Sequence, residues 1–455
     1  MLSAQFFISS LVILLVVHSM LGATAYLIFL ERKVASWAQD RIGPNRTDFS
    51  FGQGDIIEQI PVFGGLLSKL LVGPKALFGL GQALADGLKL LLKEDYTPPF
   101  VDKTLFLIAP ALAVVPALIG WAVIPWGGLW DFPGLVVPDW FPVIGGLVVA
   151  EAGVVRFAVL PIHIGVIYLL AVSSIAVYGV VLAGYASNNK FSFLGGLRAT
   201  AQMLSYEIPM GVCVLIMILM YKSADAEVMV QAQLSAGWFG LSEVWGIAMH
   251  PLLAVIFFTC VLAECNRAPF DLAEAEQELV GGFHTEYGSM KWALFFLGEY
   301  MHMITGSAFF VVLFLGGWAL PFVQAFPEVA PAEGFFGFVE GVLIVLAKFT
   351  VFAGKVALLL FLMMWVRWTL PRFRFDQLMK LAWRGMIPLM LTMLLVVGVM
   401  VYAGIEAWWA YAVANVAVGV GAAVVGPMLP AGPRVNRKVP LKGSRFSPLV
   451  EAEPV

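Results

Sequence analysis

Charge is scarce in this sequence. Asp, Glu, Lys and Arg make up 13% of the 455 residues, hydrophobic residues 60%, and the mean hydropathy is +0.89. A soluble chain of this length needs charge over most of its surface, so the composition excludes one. Cysteine is scarce too. Cys213, Cys260 and Cys265 all lie in or beside apolar runs, too few for a disulfide framework or a four-ligand iron–sulfur set. No Lys or Arg precedes the first apolar run, so the basic start of a signal peptide is missing, and residues 7–30 read as a retained span. No 20–50-residue repeat and no matching halves stand out. The net charge of −3 points to no particular partner, and nothing indicates nucleic acid.

Long apolar runs are abundant. Crossing about 30 Å of hydrocarbon takes roughly 20 residues. Runs of that kind occur near 7–30, 104–126, 160–186, 200–221, 244–265, 292–317, 338–366, 385–404 and 407–427. They are continuous rather than alternating, which excludes strand spans and predicts an all-α polytopic membrane protein. With the N-terminus outside, the cytoplasmic loops 31–103, 187–199, 266–291 and 367–384 hold 9, 2, 2 and 5 Lys and Arg, and the outer loops only Arg156 and Lys222. That bias sets the orientation. In GQALADGLKLLLKED, Leu84, Leu88, Leu91 and Leu92 recur at helical spacing while Asp86, Lys89 and Lys93 point elsewhere, as in a helix lying along a membrane surface. The stretch 127–158, rich in Pro and Trp, reads as an interfacial loop or short hairpin.

Four stretches carry chemistry. ERKVASWAQDRIGPNR (31–46) joins Arg32, Lys33, Arg41 and Arg46 to a Gly-Pro-Asn turn; membrane anchoring explains the cations, and a pocket mouth explains the turn as well. SNNKFSFLGGLRATAQMLSYE (187–207) places Glu207 inside a span, where a carboxylate is costly unless it faces protein or water; a Glu satisfied by nearby hydroxyls is the plainer reading. AECNRAPFDLAEAEQELVGG (263–282) sets Glu264, Asp271, Glu274, Glu276 and Glu278 around Arg267 as sole cation. Glu274 and Glu278, four apart, are expected on one helix face, with Glu286 and Glu299 following. Close carboxylates in low dielectric raise each other's pKa and can relay protons; a solvated acidic loop is the alternative for Glu276 and Glu278. Lastly, Lys355 sits mid-span where snorkelling does not explain it, and Arg367, Arg372 and Arg374 follow as anchors.

Together with ALADGLKLLLKED, the AVSSIAVYGVVLAGYASNNKF run, GEY at Gly298–Tyr300 and RWTLPRFRFDQLMKLAWR, these stretches run in order from residue 31 to 384. The whole resembles the membrane component of respiratory complex I that meets the peripheral arm, the H-subunit family of bacterial NADH-quinone oxidoreductase. The resemblance implies an eight-helix core and a quinone chamber bordered by Arg32, Arg41, Arg46, Arg198, Arg267 and Phe270. It also implies proton coupling through Glu207, Glu264, Asp271, Glu274, Glu276, Glu278, Glu286, Glu299 and Lys355. Quinone is the implied substrate, with no metal or iron–sulfur cluster on this chain. The implied partners are iron–sulfur peripheral-arm subunits, neighbouring membrane subunits and lipid, in a bacterial plasma (inner) membrane. The alternatives are the equivalent component of a membrane-bound hydrogenase or other complex I-like enzyme, and a stand-alone ion transporter.

Three features depart from the family pattern. The link at 47–82 is longer than expected. LPIHIG has Pro161 and His163 where relatives often carry an acid and an amide; an isolated His is more often packed than a ligand. An apolar run follows where the core should end. Residues 1–404 therefore read as the family-like membrane domain, 405–430 as an extra, ninth transmembrane helix, and 431–455 as a basic, flexible cytoplasmic tail.

Overall fold

The computed structural model describes residues 3–45, 47, 79–136, 148–150, 152–235, 244–274, 276–320, 327, 329–330, 334–405 and 407–426. Arg46, nearly all of the long link before Gly79 and the tail at 431–455 lie outside the described residues.

Helix α1 (Ala4–Ala38) starts where the Ser3 hydroxyl accepts from the Phe6 N–H, and ends at a basic, Gly-containing turn. The short α2 (Gly81–Leu92) follows, with Leu84, Leu88, Leu91 and Leu92 exposed and Asp86 paired to Arg32 at 2.8 Å. The leucine face thus points away from the bundle, as the spacing predicts. Helix α3 (Lys103–Gly120) is capped by Asp102, whose carboxylate accepts from the Thr104 and Leu105 N–H groups. It keeps Pro110 and Pro116 inside, as membrane helices allow.

The predicted hairpin region forms strands: β1 (Leu129–Phe132), β2 (Leu135–Val136), β3 (Val148–Ala150) and β4 (Gly153–Arg156). β1 pairs antiparallel with β4, Leu129 opposite Arg156, and parallel with β5 (Val329–Ala330); β2 pairs antiparallel with β3. Helices α4 (Gly165–Ala186) and α5 (Lys190–Tyr221) come next. Gly179 of α4 lets α3 close in, because a Cβ there would stand 2.8 Å from the Ala113 nitrogen and 3.0 Å from the Ala109 oxygen. Small residues at such crossings are how membrane helices gain contact without a hydrophobic driving force.

Short α6 (Ala226–Ser235) and α7 (Gly246–Met249) precede α8 (Pro251–Glu264). The sequence predicts one continuous span over 244–265, but the chain breaks at His250 (φ −131°, ψ 65°). The residue before a proline is pushed out of the helical region, and the proline then opens a new helix at its first position. The remainder is α9 (Glu276–Leu279), α10 (Ser289–Phe314), α11 (Gly334–Thr369), α12 (Phe375–Lys380), a π-turn over Leu381–Met386, α13 (Ile387–Tyr402) and α14 (Trp408–Val425).

Among the described residues, eight helices are long and apolar enough to cross a membrane, α14 among them, and α8 is a shorter ninth apolar helix. The protein is an all-α, multi-pass membrane protein. Large side chains such as Leu14, Val255, Leu395 and Val413 are exposed on its flanks, where lipid rather than water is the solvent. A large core runs through α1, α5, α8, α10, α11 and α13. A smaller one, around Phe106, Phe283 and Phe295, seals the basic end of α3, α4 and α5.

Candidate functional site

At the basic end of the bundle a buried charge network forms around Glu31, in the last part of α1. The Glu31 carboxylate, 5% exposed, accepts from the Tyr300 hydroxyl of α10, from Arg367 of α11, and from Arg267 Nη1 at 3.4 Å. The Arg267 guanidinium lies 4.2 Å above the Tyr300 ring and 3.7 Å from the Glu299 carboxylate. Four segments far apart in the chain therefore meet in one network. Burial works against the Arg267 charge, but Tyr300, Glu31 and Glu299 outweigh it and hold the guanidinium above its usual range.

The loop after α8 is held by hydrogen bonds rather than by regular structure. Gln202 of α5 donates to the Ala263 and Phe270 carbonyls at 2.7 and 2.6 Å, and the Phe373 N–H donates to the Pro269 carbonyl. Phe270 is thereby pinned between the Tyr206 and Phe373 rings, 5.4 and 5.5 Å away. Asp271 accepts from Arg372 at 2.5 Å. Burial and the nearby Glu274 raise its carboxyl above the ordinary range, against the pull of Arg372 and Arg367. Burial pushes Glu274 up as well, but contact with His284 at 3.4 Å and the Arg267 and Arg367 charges leave it below the ordinary range. Neighbouring carboxyls pushed in opposite directions are the arrangement that separates a proton donor from a fixed anion.

Glu274 and Glu278 do not share a helix face. Helix α9 begins only at Glu276; Glu274 lies in the preceding turn and faces inward to His284, while Glu278 faces outward to Arg198 at 2.6 Å. The conformation of the turn before α9, which spacing does not reveal, separates them. The Glu276 side chain lies outside the described residues. Glu286 accepts from Asn189, the cap of α5, at 2.6 Å. Arg32 is drawn to Asp86, and Arg41 is exposed beside Gln39.

Deeper in the bundle, Glu264 at the end of α8 and Glu299 on α10 line one internal cavity with His302 and Asn266. The Ser173 hydroxyl of α4 donates to the Leu170 carbonyl at 3.0 Å, and the adjacent Ser174 donates to Glu207. Glu207 lies about 26 Å along α5, at 1.5 Å per residue from Lys190. It faces out of the chain, into a groove of about 440 Å³ lined by Leu204, Ile208, Gly211, Val212 and Leu215. Lys355 of α11 reaches the turn that follows α10. Its ammonium donates to the Leu315 and Gly317 carbonyls at 2.6 and 2.9 Å and to Ala319, and sits 4.2 Å over the Trp245 ring.

Sequence reasoning missed several members. Glu31 stands inside the quoted ERK stretch, where the neighbouring cations dominate the pattern. Arg367 and Arg372 read as anchors and are partners of the buried acids Glu31 and Asp271. The paired serines of AVSSIAV offered a signal for Ser174; nothing in the spacing pointed to His284 or Tyr300 as partners. Among the described residues no group of three or more His, Cys, Asp or Glu is arranged to hold a metal ion.

Residues 11–398 match the family described as NADH dehydrogenase. The chain is 41% identical to the H subunit of NADH-quinone oxidoreductase from Leptospira biflexa over 370 residues, covering 81% of this chain and 87% of that one. It is 39% identical to the H 1 subunit from Geobacter sulfurreducens over 393 residues, covering 86% and 93%, and 41% identical to the H subunit from Rhodospirillum rubrum over 375 residues, covering 82% and 88%. The family match ends inside α13, so α14 lies beyond it. A match from the first span through α13, at this identity to relatives covered nearly end to end, makes the chain a member of the NADH dehydrogenase family, in the branch formed by the H subunits of NADH-quinone oxidoreductase.

Proposed function

We propose that this chain forms the membrane wall of a quinone chamber in a proton-translocating NADH-quinone oxidoreductase of a bacterial inner membrane, and carries the effect of quinone reduction inward through its buried carboxylates. The observation that carries this reading is the Glu31–Arg267–Glu299 network, which joins the basic end of the bundle to the cavity shared by Glu264 and Glu299. Reducing a quinone to a quinol takes up protons with the electrons. A charge change beside Asp271 and Glu274 alters the field on Arg267, and Arg267 is in direct contact with Glu299. Glu299, Glu264 and Glu207 then offer successive carboxylates, the last steadied by Ser174.

In this reading Arg41, Arg46, Arg198 and Phe270 border the chamber, opposite iron–sulfur subunits of the peripheral arm. Glu207 faces a neighbouring membrane subunit across the open groove, and the leucine face of α2 lies in lipid. Quinone is the substrate, and this chain holds no redox group of its own. The shared name of the relatives favours the NADH-linked complex over a hydrogenase.

Glu299→Gln in the assembled complex tests the reading. NADH oxidation with an artificial acceptor should persist while quinone-linked proton pumping falls on the order of a hundredfold, the usual worth of a positioned proton-transfer group. Unchanged pumping in an assembled variant would overturn it.

A further inference from the structure

A second group of ionisable side chains lies at the opposite end of the bundle, away from the charge network. Asp225, 3% exposed, caps the start of α6 by accepting from the Glu227 N–H at 3.1 Å. The same carboxylate holds Arg156 of β4 at 2.6 Å and stands 3.4 Å from Nδ1 of His163, whose side chain is 90% exposed. One step inward is Glu227, also 3% exposed. Gln231 donates to its Oε1 at 3.2 Å, while Oε2 is buried with no hydrogen-bond partner among the described residues. Further in, on α11, Lys348 is fully buried, with its ammonium 2.9 Å from the Pro327 carbonyl and 4.1 Å over the Trp318 ring.

The placement is rigid. Gln233, six residues after Glu227 on α6, donates to the Val312 carbonyl at 2.8 Å and accepts from the Gly246 and Gly316 N–H groups at 3.0 Å. Val230 packs so tightly on Gly317 that a Cβ there would lie 2.6 Å from it. The same 315–319 turn carries Trp318 and accepts from Lys355. The helix that carries Glu227 is therefore fixed in place, and among the described residues the Asp225–His163 corner at its start joins it to an exposed side chain.

We propose that Glu227 is a proton-exchange site at the outer end of this chain, reached from solution through His163 and Asp225 and backed by the Lys348 charge. The proposal rests on the reading that this chain takes part in proton translocation, and adds a site on the side away from the quinone chamber. In the exchange step the O–H bond of the Glu227 carboxyl breaks and an N–H or O–H bond forms on His163 or on the water around it. The carboxylate left behind is stabilised by Lys348 and Arg156; no electrons move. Burial pushes the Glu227 carboxyl up to about 7, against the charges of Lys348 and Arg156 and the Gln231 hydrogen bond, and with a small push from Asp225. Both protonation states are then populated near neutral pH. An exposed imidazole beside such an acid is a suitable shuttle.

The test is made on the assembled complex in sealed vesicles, with Glu227→Gln, His163→Ala and Glu299→Gln in parallel. Infrared difference spectra should show a protonated carboxyl band that titrates near neutral pH with the outer solution and is missing in Glu227→Gln. Pumping per electron pair should fall in Glu227→Gln, and His163→Ala should slow the band's response to an outer pH jump about tenfold or more. Should Glu227→Gln fail to assemble, the His163→Ala pH-jump response decides by itself. An unshifted band with full pumping in Glu227→Gln, or an unchanged response in His163→Ala, overturns the proposal. If Glu299→Gln also pumps normally, the coupling reading fails as well; if it alone loses pumping, only the outer site is lost.

Discussion

Asn415, on the helix beyond the family match, places its amide nitrogen 2.8 Å from Nδ1 of His250, the residue at which α7 and α8 part. Both side chains are fully buried. Accepting at Nδ1 leaves the other ring N–H to donate, and Met220 lies 2.7 Å from Nε2. The polar lock thus satisfies a histidine that the break leaves inside the protein and ties α14 to it. Asn415→Leu would strand that histidine and cost about 1–3 kcal/mol. The expected outcome is a lower thermal inactivation midpoint of the purified complex, with the swap His250→Asn/Asn415→His recovering part of it. An unchanged midpoint would mean that lipid packing alone holds α14.

Glu31 neutralises two arginines in a buried site. Glu31→Gln leaves Arg267 and Arg367 without that anion, a loss of about 3–5 kcal/mol for a broken buried pair. The variant should assemble poorly at growth temperature and better in the cold, read from native gels of solubilised membranes. Full assembly at all temperatures would show that Glu299 and Asp271 suffice to balance the charge.

Glu207 and Ser174 should not be equal in effect. Glu207→Gln removes a carboxyl group and should lower quinone-linked pumping with assembly intact. Ser174→Ala removes only one hydrogen-bond donor, worth about 1 kcal/mol or a few-fold in rate. Proton uptake by inverted membrane vesicles measures both, and equal losses would argue that the pair acts through packing.

Glu227 imposes a pH dependence on stability. Its folded-state pKa of about 7 lies above the unfolded value of about 4.3. The folded chain therefore binds the extra proton between those values. Stability from this group is fully present below the unfolded pKa, declines as pH rises to about 7, and is constant above. Relative to Glu227→Gln, the wild-type complex should lose thermal stability between about pH 5 and 7.5, by up to about 3 kcal/mol. Parallel profiles in inactivation scans would remove the dependence from Glu227.

Topology yields the last prediction. With eight crossings and the N-terminus outside, Arg434, Arg437, Lys438, Lys442 and Arg445 would lie on the outer side, against the positive-inside bias. If α14 crosses as a ninth span, the tail returns to the cytoplasm. Ser444, which is outside the described residues, offers a reporter position: the Ser444→Cys thiol should react with an impermeant reagent only in inverted vesicles. Reaction in intact cells would place the tail outside.

The sequence by itself determined the membrane class and most span positions. Continuous apolar length is a local property, and hydrocarbon leaves the backbone no alternative to the helix. It also determined the family, through motifs from Glu31 to Arg384 in order, and it brought Glu207, Glu264 and Glu299 forward because a carboxylate in apolar sequence is costly wherever it lies. The His250 break was legible in the His-Pro pair, but the apolar run masked it. Only the tertiary structure decided which charges meet. Glu31, Arg267, Tyr300 and Arg367 come from four elements up to 336 residues apart, and a pattern read within one segment cannot show a contact between segments. It also turned Glu274 inward and Glu278 outward, and gave Lys355 backbone carbonyl partners from the turn after α10. Loop conformation and helix packing set those partners, and spacing along the chain carries no record of either.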